Sequence, residues 1–482
     1  MRIHPTFGGL AATALLATPG TAFAQPAVAD ANRSTESALA EEVARLRSEV
    51  EALKAAMRAM QANGAGTPPP QAAASADPAS PTPGGQTVLA QQAQGAPPQP
   101  QAAAAPDPVR ITFKGAPEFS TADGWSFKPR GRLQLDGGYL AAPGSRASGQ
   151  SDGRGFTSRI RRAFLGAQGT IPGGFSYRVE FDLANNATTA NDLYLSYDDG
   201  PFNITVGQHH PFTSMEQVES DLFLSFLERA AFIQAFNLER RVGVSAGFRK
   251  DAVMLNAGVF TDDVGALTND GNKSVSVDGR LVLMPTFGDV QLHVAGSAHY
   301  RALGRFQASL GQQYRARPAL GTTDIRYVDT GVLTVNSETH IGTELAMKWR
   351  RLHMAGEAAW LHLDRPGDAD PTFFGGYAEV GFFLTPDSRT YRNGTFDRTV
   401  PTRPLGDGGF GALEINVRYD RLDLTDAGIG GGTQNAIGAS LIWTPAAYLR
   451  FMADYMRLSY DIPSQQPVFG ADVIGVRAQV DF

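Results

Sequence analysis

From Val109 to Phe482, apolar and polar residues alternate along many short segments. Two clear examples are Phe175 to Leu183 and Leu413 to Tyr419, in which every second residue is apolar and the residues between them are polar or charged. Successive side chains of a β-strand point to opposite faces, so each segment predicts a strand with one apolar face and one charged face.

The charged face distinguishes a membrane barrel from a soluble β-sandwich. A sandwich buries its apolar faces in a core and rarely carries charges on nearly every strand. A transmembrane barrel turns its apolar face to lipid and its polar face to a wet lumen. Beyond the N-terminus there is no run of about 18 apolar residues, so the sequence does not predict a transmembrane helix. We therefore predict an all-β transmembrane barrel.

The number of alternating segments predicts a 16-stranded antiparallel barrel. The predicted strands lie near residues 128–140, 158–171, 175–184, 190–199, 202–209, 240–250, 252–262, 273–285, 289–301, 336–350, 351–363, 372–384, 410–421, 434–444, 448–460 and 469–482. An even number places both ends of the barrel on the periplasmic side, and a barrel of this size encloses an aqueous channel.

Three segments are predicted before the barrel, which itself is predicted to occupy residues 109–482. Residues 1–24 have the short polar start, apolar run and small-x-small ending of a secretory signal peptide, and a buried N-terminal helix is the alternative. Residues 63–108 are rich in Pro, Ala and Gln and contain almost no large apolar residue, which predicts a disordered linker.

Residues 25–62 are predicted to form a short periplasmic coiled-coil helix. Apolar residues recur there at alternating spacings of four and three, at Leu39, Val43, Leu46, Val50, Leu53, Met57 and Met60. The residues at the a and d positions of the heptads slightly favour a two-stranded coiled coil. We nevertheless expect a trimer, because the barrel rather than this short helix should determine the oligomeric state. An amphipathic helix packed on another surface is the alternative. This helix could contact peptidoglycan.

Composition excludes several other functions. The chain carries a net charge of −6 and has no Cys, so nucleic-acid binding and a disulfide framework are not predicted. The eight His residues are scattered apart from the pair His209-His210, and adjacent strand residues point to opposite faces, which is poor geometry for one metal ion. We predict no catalytic residues, no metal site and no cofactor.

Several segments of the chain, in the same order and spacing, resemble the phosphate-selective porin O and P family from about Arg130 to Phe482. The matching pieces are Arg159 to Gly166, Tyr177 to Asp182, Val206-Gly207-Gln208 with Pro211-Phe212, Phe226 to Arg229, Arg240 to Gly243, Gly375 to Tyr377, Leu384-Thr385, Ser388-Arg389, Tyr391-Arg392, Arg418-Tyr419, Arg421 to Leu424 and Asp481-Phe482. The resemblance implies a homotrimer of 16-stranded barrels whose pores favour anions and are narrowed by loops that fold inward.

Long connections and abundant arginines suggest where such a constriction lies. The connection Pro211 to Leu238 carries apolar residues at helical spacing, and Ala302 to Val335 and Pro386 to Gly409 are rich in Arg. Arginine offers bidentate contacts to phosphate and keeps its charge, although a high-GC genome also raises Arg content. The candidate pore and anion-binding residues are Arg161, Arg162, Arg178, Arg229, Arg240, Arg241, Arg301, Arg315, Arg317, Arg389, Arg392 and Arg418.

The leading hypothesis is a passive porin in the outer membrane of a Gram-negative bacterium that passes small hydrophilic solutes, anions such as phosphate among them. A lysine that the family often has near the start of the third loop is replaced by His209-His210, which removes a permanent charge. A non-selective diffusion porin and an envelope tether anchored by the barrel are the alternatives. Outer-membrane lipid, lipopolysaccharide and the barrel assembly machinery, which recognises the terminal Phe482, are the expected partners.

The signal-peptide assignment predicts cleavage after Ala24, because Ala22 and Ala24 occupy the small-residue positions before the cleavage site. Mass spectrometry of the protein purified from outer membranes should find Gln25 as the first residue. A mature chain that retains residues 1–24 would contradict the assignment.

Overall fold

A closed antiparallel barrel dominates the computed structural model, which describes residues 109–143, 154–184, 188–465 and 467–482. Within these ranges the barrel has sixteen strands, as the alternating pattern predicts. They are β1 (Ser126–Ala141), β2 (Gly155–Ile171), β3 (Phe175–Asp182), β4 (Thr189–Asp199), β5 (Phe202–His209), β6 (Arg241–Lys250), β7 (Val253–Phe260), β8 (Val275–Leu283), β9 (Val290–Ala302), β10 (Ser337–Trp349), β11 (Leu352–Asp364), β12 (Thr372–Phe383), β13 (Ala412–Asp426), β14 (Ile429–Ala446), β15 (Leu449–Asp461) and β16 (Phe469–Asp481). The predicted signal peptide, coiled coil and linker lie outside the described residues.

The barrel closes because β16 returns to pair with β1, with Asp472 opposite Ala141 and Asp481 opposite Arg132. Every other strand pairs with its neighbours in sequence. The largest differences from the predicted bounds are in one hairpin, where β13 ends at Asp426 rather than near residue 421 and β14 begins at Ile429 rather than near residue 434. Three consecutive glycines, beginning at Gly430, lie at the start of β14. Glycine has no side chain, so these residues show no alternation of apolar and polar positions from which the strand could be predicted.

Shorter elements line the barrel or lie at its ends. The helices are α1 (Met215–Val218), α2 (Ala231–Ala235) and α3 (Arg305–Leu310), with 3₁₀ turns at Ala266–Thr268 and Leu405–Asp407. Short strands are Arg110–Lys114, Ala116–Ser120, Thr286–Phe287, Gln312–Ala316, Val328–Leu333, Thr390–Arg392 and Thr395–Asp397. No helix among the described residues is long and apolar enough to cross a membrane.

The two faces of the barrel follow the sequence pattern. Outward side chains are apolar and exposed, and aromatic rings collect towards each end of the barrel, as in membrane barrels that place such rings at the lipid interface. One group comprises Phe175, Phe202, Trp349, Phe382 and Phe451, and the other comprises Tyr139, Phe156, Tyr300, Trp360 and Tyr419. Inward side chains are largely charged and nevertheless buried, because loops fold into the lumen and contact them.

Three long connections enter the lumen, and they do not all enter from the same end. Because strands alternate in direction, residues 210–240 and 303–336 start from the end opposite the barrel termini, whereas residues 384–411 start from the end where the termini lie. In outer-membrane barrels that second end faces the periplasm and usually has short turns. The connection 384–411 is therefore an exception, and its hairpin Thr390–Asp397 enters the barrel from the periplasmic side.

The connection 210–240 is ordered and lies inside the barrel, as its apolar content predicts, but little of it is helical. Leu222 and Phe226 are buried in irregular backbone, and Ile233 alone of the three spaced apolar residues lies in a helix. The helical spacing was a misleading signal, because wall contacts rather than helix formation bury these side chains.

The C-terminal residue completes the closing seam. Phe482 exchanges backbone hydrogen bonds with Gly131, at 2.9 and 3.1 Å, and its ring covers the position that a Cβ of Gly131 would occupy. The absence of a side chain at Gly131 is therefore required for the terminal ring to lie flat on β1.

Deletion of Phe482 should reduce the amount of folded barrel in the outer membrane, because it removes two seam hydrogen bonds and the terminal aromatic ring. Heat-modifiable migration on gels and outer-membrane yield measure the effect. Phe482→Tyr, which keeps the ring and the backbone, is the matched control and should assemble normally. Normal yield after the deletion would refute the role of Phe482.

Candidate pore constriction

The connection 210–240 is held in the lumen by its carboxylates, which meet arginines of the wall. The Arg418 guanidinium lies 2.5 Å from the Glu216 carboxylate, and Arg389 lies 2.8 Å from Glu219. Asp221 is paired with both Arg132 and Arg162. Because each of these carboxylates meets at least one arginine, the connection has a fixed position across the barrel.

Two cavities adjoin the connection 210–240, and residues of the connection line both of them. We call outer cavity the space of about 120 Å³ whose lining includes Gln434, near the start of β14 and far from the barrel termini. We call inner cavity the space of about 610 Å³ lined by Arg130 and Arg132, near the start of β1, and by residues of the periplasmic connection. Because several residues line both spaces, the two cavities adjoin each other inside the barrel.

The cavities share a set of lining residues, which we call the junction. The junction consists of Arg161, Arg162, His210, Arg229, Gln234, Glu239, Arg240 and Arg317. It contains five arginines and one carboxylate, an excess of four positive charges. A solute that passes between the cavities must pass these guanidinium groups, so the junction is the candidate constriction.

A β-bulge in β2 explains how two adjacent arginines reach the same lumen. In the β1–β2 ladder Gln134 is opposite Arg162 and Leu135 is opposite Ile160, so Arg161 is the extra residue. Regular alternation would send Arg161 and Arg162 to opposite faces, but a bulge shifts the phase by one residue. Both side chains therefore line the two cavities.

Four junction arginines are paired with carboxylates at the edge of the path, and one of them is Arg162, which meets Asp221. Arg161 donates two hydrogen bonds to Glu228, at 2.9 and 3.1 Å, and Arg240 donates one to Asp192 at 2.6 Å. Arg317 lies 3.2 Å from Asp324. Burial alone would raise the pKa of Glu228, but the Arg161 charge and its hydrogen bonds lower that pKa to about 2. Glu228 therefore stays ionised and holds Arg161 in place.

Arg229 differs from the other junction arginines in its partners. Its Nε donates to the Glu216 carbonyl and its Nη2 donates to the Glu219 carbonyl, each at 2.8 Å. Among the described residues no carboxylate lies within ion-pair distance of its guanidinium. Arg229 thus brings a positive charge to the path that backbone carbonyls orient but do not neutralise.

The inner cavity extends the basic surface towards the periplasm. Ten arginines and six carboxylates line it among the described residues, again an excess of four positive charges. A second bulge contributes here: Val179 is opposite Leu193 and Phe181 is opposite Ala190, so Asn191 and Asp192 both line the cavity.

The remaining predicted arginines fall into three groups. Arg178 and Arg392 line the inner cavity, and Arg418 lies at the outer cavity between the rings of Phe226 and Tyr377. Arg389 is buried in its contact with Glu219. The others line neither cavity: Arg241 is buried opposite His209, Arg301 is bound to Asp262 at 2.7 Å, and Arg315 is half exposed beside Asp329.

Three lining arginines are absent from the candidates drawn from the sequence: Arg130, Arg132 and Arg398. The first two could have been found, because they continue the inward row of β1 that includes Gln134 and Asp136. Arg398 had no such signal, since its position depends on how the periplasmic connection folds; it contacts Asp481 and the Tyr448 ring.

His209 and His210 point in different directions, as expected for adjacent strand residues. His209 is buried against the Phe260 ring and within 2.8 Å of the Ser245 hydroxyl. His210 belongs to the junction, where its Nδ1 lies 3.2 Å from Gln217 Nε2. Burial and the nearby Arg240 charge lower the pKa of His210 well below its usual value. His210 is therefore neutral near pH 7.

A closed barrel with an apolar outer surface and a constricted, charged lumen defines an outer-membrane porin of a Gram-negative bacterium. The model of the family described as phosphate-selective porin O and P matches residues 127–482. The chain therefore belongs to that family.

Individual proteins are also similar to this chain. An uncharacterised protein of Caulobacter vibrioides is 42% identical over 459 residues, which cover 92% of this chain and 91% of that protein. Porin O of Pseudomonas aeruginosa is 26% identical over 358 residues, covering 66% of this chain and 77% of that porin. The structure of an anion-selective porin from Comamonas acidovorans covers 75% of this chain and 100% of its own, with 10% identity and a TM-score of 0.47.

His210→Lys should increase the preference of the channel for anions, because it adds a permanent charge to the junction. His210→Gln, the neutral control, should leave the preference unchanged and should show the same pH dependence as the wild type between pH 6 and 8. Reversal potentials in a chloride gradient measure both. A different pH dependence in His210→Gln would mean that His210 carries charge in this range.

Proposed function

We propose that this porin is a passive, trimeric channel that prefers anions, with inorganic phosphate among its solutes. The single observation that carries the proposal is the junction, where five arginines and one carboxylate surround the path between the two cavities. The trimer rests on the family resemblance. The proposal includes no chemical conversion of the solute.

Charge at a narrow point outweighs charge spread over the wall. At an effective dielectric of about 20, one unit charge about 6 Å from an ion contributes roughly 3 kcal/mol, compared with less than about 1 kcal/mol in bulk water. Most wall arginines lie beside carboxylates, so their fields largely cancel. The junction arginines exceed the carboxylates there, which supports a net attraction for anions.

Phosphate is favoured within the class of anions by the chemistry of the donors. A guanidinium group offers parallel N–H donors that match two phosphate oxygens. At the junction, Arg229 has Nε and Nη2 occupied by carbonyls, which leaves Nη1 to face a solute. Donors from several residues could replace part of the hydration shell of a phosphate ion, whereas chloride gains less from forked donors.

The alternative, a non-selective diffusion porin, is favoured by the many ion pairs of the lumen. Arg161, Arg240 and Arg317 each lie within 3.2 Å of a carboxylate. If those carboxylates cancelled the junction charges fully, chloride and potassium would pass equally well. The sign of the reversal potential in a potassium chloride gradient separates the two proposals.

The double variant Arg229→Gln/Arg317→Gln should lower the chloride-to-potassium permeability ratio by about tenfold, which corresponds to roughly 1.4 kcal/mol. It should also raise the phosphate concentration that halves the chloride current by about tenfold. These positions are chosen because Asp324 keeps Arg159 as a partner when Arg317 is removed. Single-channel recording in planar bilayers gives both quantities.

Arg315→Gln is the matched control, because Arg315 lies on the same connection as Arg317 but lines neither cavity. It should leave permeability ratio and phosphate block unchanged. An equal loss in the control and the double variant, or no loss in the double variant, would show that the junction does not determine selectivity.

A further inference from the structure

The outer cavity differs from the junction in chemistry. Its lining includes an apolar group from the connection 210–240, from the connection 303–336 and from strands β14 and β15. These residues are Leu224, Phe226, Leu227, Ala231, Ile233, Ala319, Ala436 and Met456. A hydrated inorganic phosphate ion gains nothing from such a surface, so the apolar group requires a different explanation.

Three polar side chains that line the same cavity lack, among the described residues, a hydrogen-bond partner for one oxygen each. Asp420 accepts a hydrogen bond from the Ala231 amide at 2.8 Å, and Asp454 accepts one from the Leu227 amide at 2.6 Å. The second carboxylate oxygen of each, and Oε1 of Gln434, have no hydrogen-bond partner among the described residues. All three side chains are more than nine-tenths buried.

Unpartnered buried acceptors are costly unless a donor reaches them. A phosphate ion cannot serve, because two of the three groups are carboxylates that repel it. Hydroxyl groups can serve, since they donate to carboxylate and amide oxygens. The carbon-bound hydrogens of a polyol or sugar ring would in turn match the apolar group, of which Ile233 and Met456 are members.

We propose that the outer cavity binds hydroxylated organic anions of the sugar-phosphate class. The phosphate group lies at the junction arginines, the hydroxyl groups donate to Asp420, Gln434 and Asp454, and the hydrocarbon face lies on the apolar group. This inference rests on the proposed anion preference, and it names the class of solute that the channel holds before passage.

The test compares three blockers of the chloride current: inorganic phosphate, glucose 6-phosphate and hexyl phosphate. In the wild-type protein, glucose 6-phosphate should halve the current at a concentration about tenfold lower than phosphate. Hexyl phosphate has the apolar part without hydroxyl groups and should be intermediate. Equal block by phosphate and glucose 6-phosphate would overturn the proposal. It would mean that the three unpartnered oxygens gain no more from the hydroxyl groups of the sugar than from water.

Gln434→Leu removes one acceptor and should raise the half-blocking concentration of glucose 6-phosphate about fivefold while leaving that of phosphate unchanged. Asn416→Leu is the matched control: Asn416 also has a buried oxygen that finds no hydrogen-bond partner in the described part of the chain, and it lies on the inner face of β13 outside the outer cavity. The control should leave both values unchanged. Equal changes for both blockers in Gln434→Leu would overturn the proposal.

Asp454→Asn provides a second variant if Gln434→Leu fails to assemble, because the amide oxygen can still accept the hydrogen bond from Leu227. It should weaken the block by glucose 6-phosphate and leave the block by hexyl phosphate unchanged. A weaker block by hexyl phosphate together with an unchanged block by glucose 6-phosphate would overturn the proposal. The reversal potential is measured in chloride without organic solutes, so a failure of the anion preference is distinguished from a failure of sugar-phosphate binding.

Discussion

Pairing between carboxylates of the inserted connection and arginines of the wall is the interaction on which the lumen depends. Sixteen strands enclose a space that inward side chains cannot fill by themselves. Glu216, Glu219, Asp221 and Glu228 each meet an arginine, so the connection crosses the space at a defined height. Burying charges is costly unless they are paired, and this cost disfavours other positions of the connection.

The same pairing separates structural arginines from those available to a solute. Arg418 and Arg389 are enclosed by carboxylates and aromatic rings, and their charges hold the connection in place. Arg229 is held by carbonyl oxygens, which orient its guanidinium without cancelling the charge. The local sequence does not reveal that Arg389 and Arg418 are enclosed, because the carboxylates of Glu219 and Glu216 that pair with them lie far away along the chain.

The sequence was sufficient to predict the barrel but not the lumen. Period-two alternation is set by strand geometry, so it revealed all sixteen strands and the inward side of Arg178 and Arg418. It could not reveal the bulge at Arg161, because strict alternation assigns one of the adjacent residues Arg161 and Arg162 to the lipid side. It also could not distinguish Arg240, which lines the junction, from Arg241, which lines neither cavity. Those positions depend on contacts between connections far apart in sequence.

The bulge in β2 also affects how this pore can change in evolution. Outward residues occupy even positions up to Ile160 and odd positions from Ala163 onwards, and the extra residue Arg161 joins the two phases. Loss of a single codon at this point would restore a regular ladder, keep both outward rows against lipid and remove one lumenal charge. The charge of the constriction can thus be altered by a one-residue deletion that a regular strand, whose faces would be inverted, could not tolerate.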